Sequence, residues 1–283
     1  MSTAARASHF VRSFERGLAV IRAFDAEHPA RTLSEVARAC DLTRAAARRL
    51  LLTLADLGYV HCDGRLFRLT PRVLELGHAY LAGLALPRIA EPHLKQLVAE
   101  VKESSSLCLL DGDDVVHVAR VPARRIMSAT ITVGTRFPAH VTAVGRVLLA
   151  PLPDEDLDAR LARAERRPLT AYTIVTPQAL RAELGRVRRQ GYALVDQELE
   201  EGLRSVAAPV RDRGGAVVAG VGLAVHAGRV SVASVRRDLL PRLLAAVARI
   251  EADLRITDPG PAASPGTGTH RSSSSRRPPA PPE

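Results

Sequence analysis

The chain has 283 residues, a length that suits about two domains. Its 46% content of hydrophobic residues is enough for packed cores and excludes a largely disordered protein. Lys and Arg number 40 against 30 Asp and Glu, so the formal net charge is +10. This excess suits a polyanionic partner, but it also fits a solvated surface that a GC-rich gene has enriched in arginine.

The sequence also excludes membrane and secreted proteins. No apolar run approaches the roughly 20 residues that span a bilayer, and the N-terminal segment MSTAARASHFVRSFERG lacks the apolar core of a signal peptide. We therefore expect a cytoplasmic protein. The three cysteines, Cys40, Cys62 and Cys108, are widely spaced and form no C-x-x-C pair. They predict neither a disulfide framework nor a metal site, and we expect no cofactor.

Residues 10–70 predict short helices followed by a β-hairpin. A T-x-x-E capping box at Thr32 begins a helix that runs through Cys40, and after a short break a second helix runs from Thr43 to Gly58. A capped helix, a break and a second helix are the pattern of a helix-turn-helix. An earlier helix is predicted by apolar residues at helical spacing: Phe14, Leu18, Ile21 and Phe24. The same spacing predicts the buried face of the helix from Thr43 to Gly58: Ala47, Leu50, Leu54 and Leu57.

Two β-like runs follow, residues 59–62 and 65–69, joined by Asp63-Gly64. An Asp-Gly pair between such runs is a strong signal for a tight hairpin. Together with the helix-turn-helix, this hairpin predicts the wing of a winged helix-turn-helix domain that binds DNA, which we assign to residues 1–70. The alternative is a generic three-helix domain with a solvated arginine face.

The second helix of the motif carries arginines where a recognition helix needs them. Arg44 and Arg48 lie four residues apart, so both side chains project from one face and can reach base edges or phosphates. Small neighbouring side chains allow close approach to the groove, while the wing tip and the helix starts would contact the DNA backbone. The candidate DNA-binding residues are Arg12, Ser13, Thr32, Thr43, Arg44, Ala45, Ala46, Arg48, Arg49 and Arg65.

A linker helix follows the wing. Thr70-Pro71 combines an N-cap residue with proline at the first helical position and predicts a helix from about Pro71 to Leu84, within a linker assigned to residues 71–86. One face of this helix is apolar and would be buried against a second copy of the chain or against the protein's own second domain. Its apolar residues are Val73, Leu76, Tyr80 and Leu84.

Residues 87–257 alternate between helical and strand-like periods. Strands in hairpin succession with helices between them predict an α+β domain, in which helices cover an antiparallel sheet. The expected elements include strands at Ser106–Leu110, Val115–Val121 and Ile126–Val133 and a last helix at Arg237–Leu254. The composition of residues 258–283, rich in Pro, Gly, Ser and Thr, predicts a disordered tail.

Segments throughout residues 10–254 resemble the IclR family of transcriptional regulators. The similarity rests on FVRSFERGLAVIRAF, TLSEVARACDLTRAAARRLLLTLADLGYV, DGRLFRLTPRVLELG, VGTRFPAHVTAVGRVLLA and DQELEEGLRSVAAPVRD. More narrowly, the chain is similar to the branch that controls aromatic-acid catabolism, the protocatechuate, 4-hydroxybenzoate and β-ketoadipate regulators. The resemblance implies a winged-helix domain, a linker helix in dimer contact and an effector domain of GAF-like fold. It also implies dimers that pair into tetramers on operator DNA.

The resemblance further implies a pocket for a small organic acid in the effector domain. Carried onto this sequence, it points to His140, Thr142, Ala143, Val144, Leu203 and Ser205. Ser205 stands where well-known relatives carry cysteine, which indicates a ligand unlike that of the glyoxylate-responsive members.

Independent reasoning from the residues also supports an anion pocket. The Thr142 hydroxyl and N–H groups at the start of the helix expected over Thr142–Leu149 are suitable donors. Arg125 or Arg136 could add a bidentate clamp on a carboxylate. Apolar walls for a ring could come from Met127, Leu110 and Phe137.

The leading prediction is therefore a ligand-responsive DNA-binding regulator of aromatic-acid catabolism. One alternative is an IclR-type regulator that responds to a different small organic acid. Another is an architectural DNA-binding protein whose second domain only mediates assembly. An enzyme is not expected, because the sequence contains no G-x-S-x-G, no P-loop and no H-E-x-x-H motif.

Overall fold

The computed structural model describes residues 9–83, 85–123, 131–163 and 166–257. Their contacts separate the chain into two compact units, the first ending at Ala85 and the second beginning at Leu86. The first unit contains helices and a three-stranded sheet, and the second contains helices and a six-stranded sheet. The predicted α+β class is confirmed. The tail expected at residues 258–283 lies outside the described residues.

The first unit has the elements of a winged helix-turn-helix. Its small sheet is antiparallel in the order β1-β3-β2. The sequence reasoning missed strand β1, because three residues directly before a helix cap are too few to show an alternating pattern. The elements are α1 (Arg12–Arg22), β1 (Ala30–Thr32), α2 (Leu33–Ala39), α3 (Arg44–Asp56), β2 (Val60–Cys62), β3 (Leu66–Leu69), a 3₁₀ turn (Pro71–Val73) and α4 (Leu74–Gly83).

Capping side chains fix where α2 and α3 begin. The Glu35 N–H donates to Thr32 Oγ1 at 3.4 Å, and the Thr32 N–H donates to a Glu35 carboxylate oxygen at 2.7 Å. This reciprocal pair is the predicted capping box. At α3, the Thr43 hydroxyl accepts from the Ala46 N–H at 3.2 Å. Both helix starts therefore follow from local sequence.

The buried face of α3 differs by one position from the prediction. Leu51 and Ala47 are fully buried and Leu54 is nearly so, whereas Leu50 is half-buried and Leu57 is 52% exposed. The apolar run of leucines in this helix makes two adjacent stripes equally plausible from spacing alone. The core of this unit is formed by Val20, Phe24, Val36, Leu51, Leu54, Val60 and Phe67.

The wing is wider than the predicted two-residue turn. Cys62 pairs with Phe67, which leaves four residues between the paired positions. The Asp63 side chain accepts from the Leu66 N–H at 3.0 Å and closes this loop. Aspartate thus acts as a side-chain cap for the loop, which is a common role of Asp in turns.

In the second unit, helices and strands follow one another along the chain. The six strands form an antiparallel sheet in the order β6-β5-β4-β9-β8-β7. None of the described helices combines the length and the hydropathy needed to cross a membrane. The elements are α5 (Ala85–Val101), β4 (Ser104–Asp111), β5 (Asp114–Val121), β6 (Arg136–Pro138), α6 (Ala143–Leu149), α7 (Asp154–Arg163), α8 (Pro177–Gln190), β7 (Ala193–Asp196), β8 (Leu203–Arg211), β9 (Val217–His226), α9 (Val232–Ser234) and α10 (Leu240–Thr257).

Each face of this sheet has its own hydrophobic core. One core joins the sheet to α5 and α10, with Leu97 and Leu243 fully buried. The other core joins the opposite face to α6 and α8, with Val147 and Leu184 almost fully buried. Alternate side chains of the central strands therefore enter different cores, as the pleat requires.

Two predicted elements of this unit differ in the structure. The strand expected at Ile126–Val133 begins outside the described residues, and its described part, residues 131–133, is not a strand. The strand that follows β5 in the structure is β6. The last helix begins earlier than Arg237, as α9 followed by a π-helical turn over Val235–Leu239 that leads into α10. A π turn inserts an extra residue and leaves little trace in the sequence pattern.

Candidate functional site

The predicted recognition helix, α3, presents three arginines to solvent. Arg44, Arg48 and Arg49 are exposed, and no carboxylate of the described residues lies within ion-pair distance of their guanidinium groups. Ala45 is exposed beside them and Ala46 is half-buried. The helix therefore offers unpaired positive charge next to small side chains, which permits close approach of a polyanion.

The other DNA-binding candidates lie at helix starts and in the wing. Thr32 and Thr43 cap α2 and α3, and their hydroxyls are used in those caps. Arg12 is the first residue of α1, and Arg65 lies at the tip of the wing; both are exposed. These positions supply helix N-termini and flexible cations, which are suitable for phosphates.

A groove of about 640 Å³ runs between α1 and α3. Ser13 lines it together with Ala46 and Arg49. Its walls also include Phe14 and Leu18, which are 69% and 41% exposed although their spacing predicts a buried face. The first helix therefore leaves apolar surface uncovered within its own unit, a feature that marks interaction surfaces.

The second unit contains a partly open cavity of about 70 Å³ between the sheet and the start of α6. This volume is several times the about 15 Å³ that a single water requires. Five of the predicted effector-binding residues line it: Thr142, Ala143, Val144, Leu203 and Ser205. Phe137, predicted as an apolar wall, also lines the cavity, whereas Leu110 is half-buried in the adjacent core.

The remaining effector candidates lie elsewhere. Arg136 is exposed on β6 and donates to carboxylate oxygens of Asp111 at 2.7 Å and Asp114 at 3.2 Å. His140 is buried beside a different cavity of about 20 Å³ that Arg166 also lines. Neither is among the described residues that line the larger cavity. Arg125 and Met127 lie outside the described residues.

Thr142 is occupied by the helix that it caps. Its hydroxyl accepts from the Gly145 N–H at 2.9 Å and donates to the Ala139 carbonyl oxygen at 3.3 Å. The hydroxyl proton that the sequence analysis offered to a carboxylate therefore already has an acceptor within the protein. Thr142 therefore lines the cavity as part of its wall.

Sequence reasoning missed the polar residues that strands β4 and β5 bring to the cavity. Ser106 and Cys108 come from β4, and His117 and Arg120 come from β5. The spacing of three between His117 and Arg120 places them on opposite faces of a regular strand. Only the pairing register with β4 reveals that they share a face, so no local pattern indicated Arg120.

Burial governs the charge state of these groups. Burial and, to a smaller extent, the nearby positive charge of Arg120 together lower the pKa of the His117 imidazole to about 4, so this side chain is neutral at neutral pH. Burial raises the pKa of the Cys108 thiol to about 12. Within the described residues, no group of three His, Cys, Asp or Glu side chains is arranged to share a metal ion.

Comparison with known proteins agrees with this architecture. The model of the IclR helix-turn-helix domain matches residues 13–64, and the model of the bacterial transcriptional regulator IclR C-terminal domain matches residues 78–252. The chain is 42% identical over 238 residues to the Pca regulon regulatory protein of Pseudomonas putida, which covers 84% of this chain and 82% of that protein.

Solved structures give the same result. A crystal structure of a transcriptional regulator from Rhodococcus sp. RHA1 is 53% identical, covers 88% of this chain and 100% of its own, and has a TM-score of 0.78. The crystal structure of an IclR homologue from Microbacterium hydrocarbonoxydans in complex with 4-hydroxybenzoate is 25% identical and has a TM-score of 0.73. The match covers 86% of this chain and 99% of that homologue. The resemblance stated from the sequence is thus confirmed, and the chain belongs to the IclR family of DNA-binding transcriptional regulators, which are not enzymes.

Proposed function

We propose that this regulator responds to an aromatic acid and controls genes of aromatic-acid catabolism. The observation that carries the proposal is the similarity to the Pca regulon regulatory protein over most of both chains. Two further observations support it: a related structure contains 4-hydroxybenzoate, and the cavity combines apolar walls such as Phe137 with the cation Arg120. A flat apolar ring with one anionic group fits these walls and this charge.

The proposal includes the division of labour along the chain. Residues 1–70 bind DNA, residues 71–86 form the linker helix, residues 87–257 bind the effector and residues 258–283 form a tail. The separation of the chain into two compact units near residue 86 supports this division. The protein acts in the cytoplasm, where a bacterial chromosome is accessible.

Self-association belongs to the same proposal. On α1, Phe14 is 69% exposed, and on α4, Leu76 and Tyr80 are 53% and 58% exposed. Leu84, the last residue of the predicted linker stripe, lies outside the described residues. Apolar side chains left uncovered on both helices support dimers, and tetramers built from them, with copies of this chain as the partners.

Within the second unit, the cavity lined by Thr142, Ala143, Val144, Leu203 and Ser205 is proposed as the effector site. Arg125, Met127, Arg136 and His140 remain predictions from the sequence.

The effector class is tested by titrating the full chain in a calorimeter at fixed pH and salt. Protocatechuate, 4-hydroxybenzoate and β-ketoadipate serve as parallel ligands, with cyclohexanecarboxylate as an apolar acid that lacks the aromatic ring. We expect saturable binding of an aromatic acid, with a dissociation constant on the order of micromolar, which corresponds to about 8 kcal/mol. No binding of either aromatic acid would contradict the proposed class and direct the search to other organic acids.

The DNA-binding role is tested at Arg44 and Arg48. Each substitution to Ala removes an exposed cation from the recognition helix and should weaken binding to an operator, first selected from a random DNA pool, by about tenfold to a hundredfold. Effector binding should change little, because both residues lie in the first unit. Arg255→Ala, on exposed α10 surface, is the matched control. Equal loss of DNA and effector binding in the α3 variants would contradict separate roles for the two units.

A further inference from the structure

An irregularity in the pairing of β4 and β5 directs the Arg120 side chain toward the cavity. Strands β4 and β5 pair Cys108 with His117 but Leu107 with Ala119, so Val118 is an extra residue opposite this step. Val118 and Ala119 both pack into the core that faces α5 and α10. The alternation of side chains is thereby shifted by one position, and Arg120 emerges on the same face as His117. Bulges commonly re-aim a side chain in this way.

Arg120 is a half-buried cation that has no counter-ion among the described residues. Its guanidinium donates to Ser106 Oγ at 3.2 Å, and no carboxylate of the described residues lies within ion-pair distance of it. Among the described residues that line the cavity, no other side chain carries a charge at neutral pH. A partly buried charge with one neutral partner is unfavourable, so a bound anion would stabilise it.

His117 is the second unusual group in this cavity. It is 8% exposed, and its Nδ1 atom has no hydrogen-bond partner among the described residues. Its ring lies edge-on to Phe137, with the ring centroids 5.7 Å apart. A buried ring nitrogen without a partner is costly, and the cost is removed if a ligand hydroxyl hydrogen-bonds to it. A hydroxyl both donates and accepts, so either neutral tautomer of His117 can take part.

We propose that Arg120 binds the carboxylate of the effector and that His117 Nδ1 hydrogen-bonds a hydroxyl group on its ring. The inference rests on the proposed function and refines it, because it names the recognised groups. It also predicts selectivity for monocarboxylates. A second carboxylate in the cavity would find no further cation among the described lining residues.

The role of Arg120 is tested with Arg120→Met in the full chain, titrated with protocatechuate and 4-hydroxybenzoate. We expect the dissociation constants of both acids to rise by about tenfold to a hundredfold, because a charged hydrogen-bonded contact is lost. The neutral amide 3,4-dihydroxybenzamide should bind the variant and the unmodified protein equally. Arg211→Met, which removes an exposed arginine from the same sheet, is the control. Arg120→Lys, which keeps the charge, should lose less affinity and guards against misfolding of the Met variant.

The role of His117 is tested with His117→Phe and a pair of ligands. 4-Hydroxybenzoate should lose about tenfold in affinity, whereas unsubstituted benzoate should lose little, since it has no hydroxyl to bind. Adipate, a dicarboxylate, should bind the unmodified protein more weakly than either aromatic acid. Equal losses for benzoate and 4-hydroxybenzoate would assign His117 a structural role only and overturn that half of the proposal.

The outcomes separate this inference from the proposed function. If the unmodified chain binds neither aromatic acid, the effector class itself is wrong, and the inference falls with it. If the unmodified chain binds them and Arg120→Met binds them equally well, the function stands and Arg120 is not the carboxylate receptor. A loss produced by Arg136→Met in place of Arg120→Met would return the carboxylate to the arginine predicted from the sequence.

Discussion

Replacing Arg146 by Met should lower the free energy of unfolding of the second unit by about 3–5 kcal/mol, the cost of breaking a buried ion pair from one side. Arg146 lies on α6 and is 1% exposed. Its Nη2 donates to a carboxylate oxygen of Glu198 at 2.5 Å, and its Nε donates to the His140 carbonyl oxygen at 2.9 Å. The same Glu198 oxygen accepts from the Ile174 N–H at 3.1 Å.

The expected loss is large because the substitution leaves Glu198 buried without its cation. Glu198 is 6% exposed, and burial of an unpaired carboxylate is costly. The pair also ties α6 to the segments around residues 174 and 198, so its removal loosens several elements together. Urea unfolding followed by circular dichroism measures the effect, with the transition of the second unit fitted separately from that of the first.

Lys95→Met is the matched control. Lys95 lies on α5 and pairs with Glu91 at 2.7 Å, and both side chains are more than half exposed. A pair open to solvent contributes about 0–1 kcal/mol, so this variant should unfold near the unmodified protein. A loss below about 1 kcal/mol for Arg146→Met would show that the buried pair does not hold α6 in place.

Local signals predicted the first unit better than the cavity of the second. The capping box at Thr32 and the cap at Thr43 act over three residues, so the sequence alone places both helix starts. The position of Arg120 depends on how β4 aligns with β5, a relation between separate strands that no local pattern records. For the same reason, spacing could not show that Arg136 pairs with Asp111 and Asp114 at the sheet edge.

Family resemblance located part of the cavity where physical reasoning alone did not. The segment PAHVTAVGR supplied Thr142, Ala143 and Val144, and all three line the cavity. Donor chemistry predicted that the Thr142 hydroxyl binds the anion, but that hydroxyl is already hydrogen-bonded to the Gly145 N–H and the Ala139 carbonyl oxygen. A sequence shows which groups are present, whereas only the fold shows which of them have partners left to find.

Substituting Gly145 by Ala should destabilise the second unit by about 3 kcal/mol, at the upper end for overpacking a tight site. A Cβ atom at Gly145 would lie 1.9 Å from the Ala139 carbonyl oxygen, a backbone atom that cannot turn aside. The helix α6 would have to move away from the turn over residues 139–141. Because Ala143 and Val144 line the cavity from the same helix, effector affinity should fall as well.

Gly185→Ala is the control for this prediction, because the same substitution there should have the opposite sign. Gly185 lies in α8, and the nearest atom to a new Cβ is the end of the flexible Arg189 side chain at 3.6 Å. Alanine in a helix interior is favoured over glycine by about 1 kcal/mol, so this variant should be slightly stabilised. Thermal unfolding and effector titration of both variants measure the contrast. If Gly145→Ala kept both stability and affinity, the close packing of α6 on the preceding turn would not be what shapes the cavity.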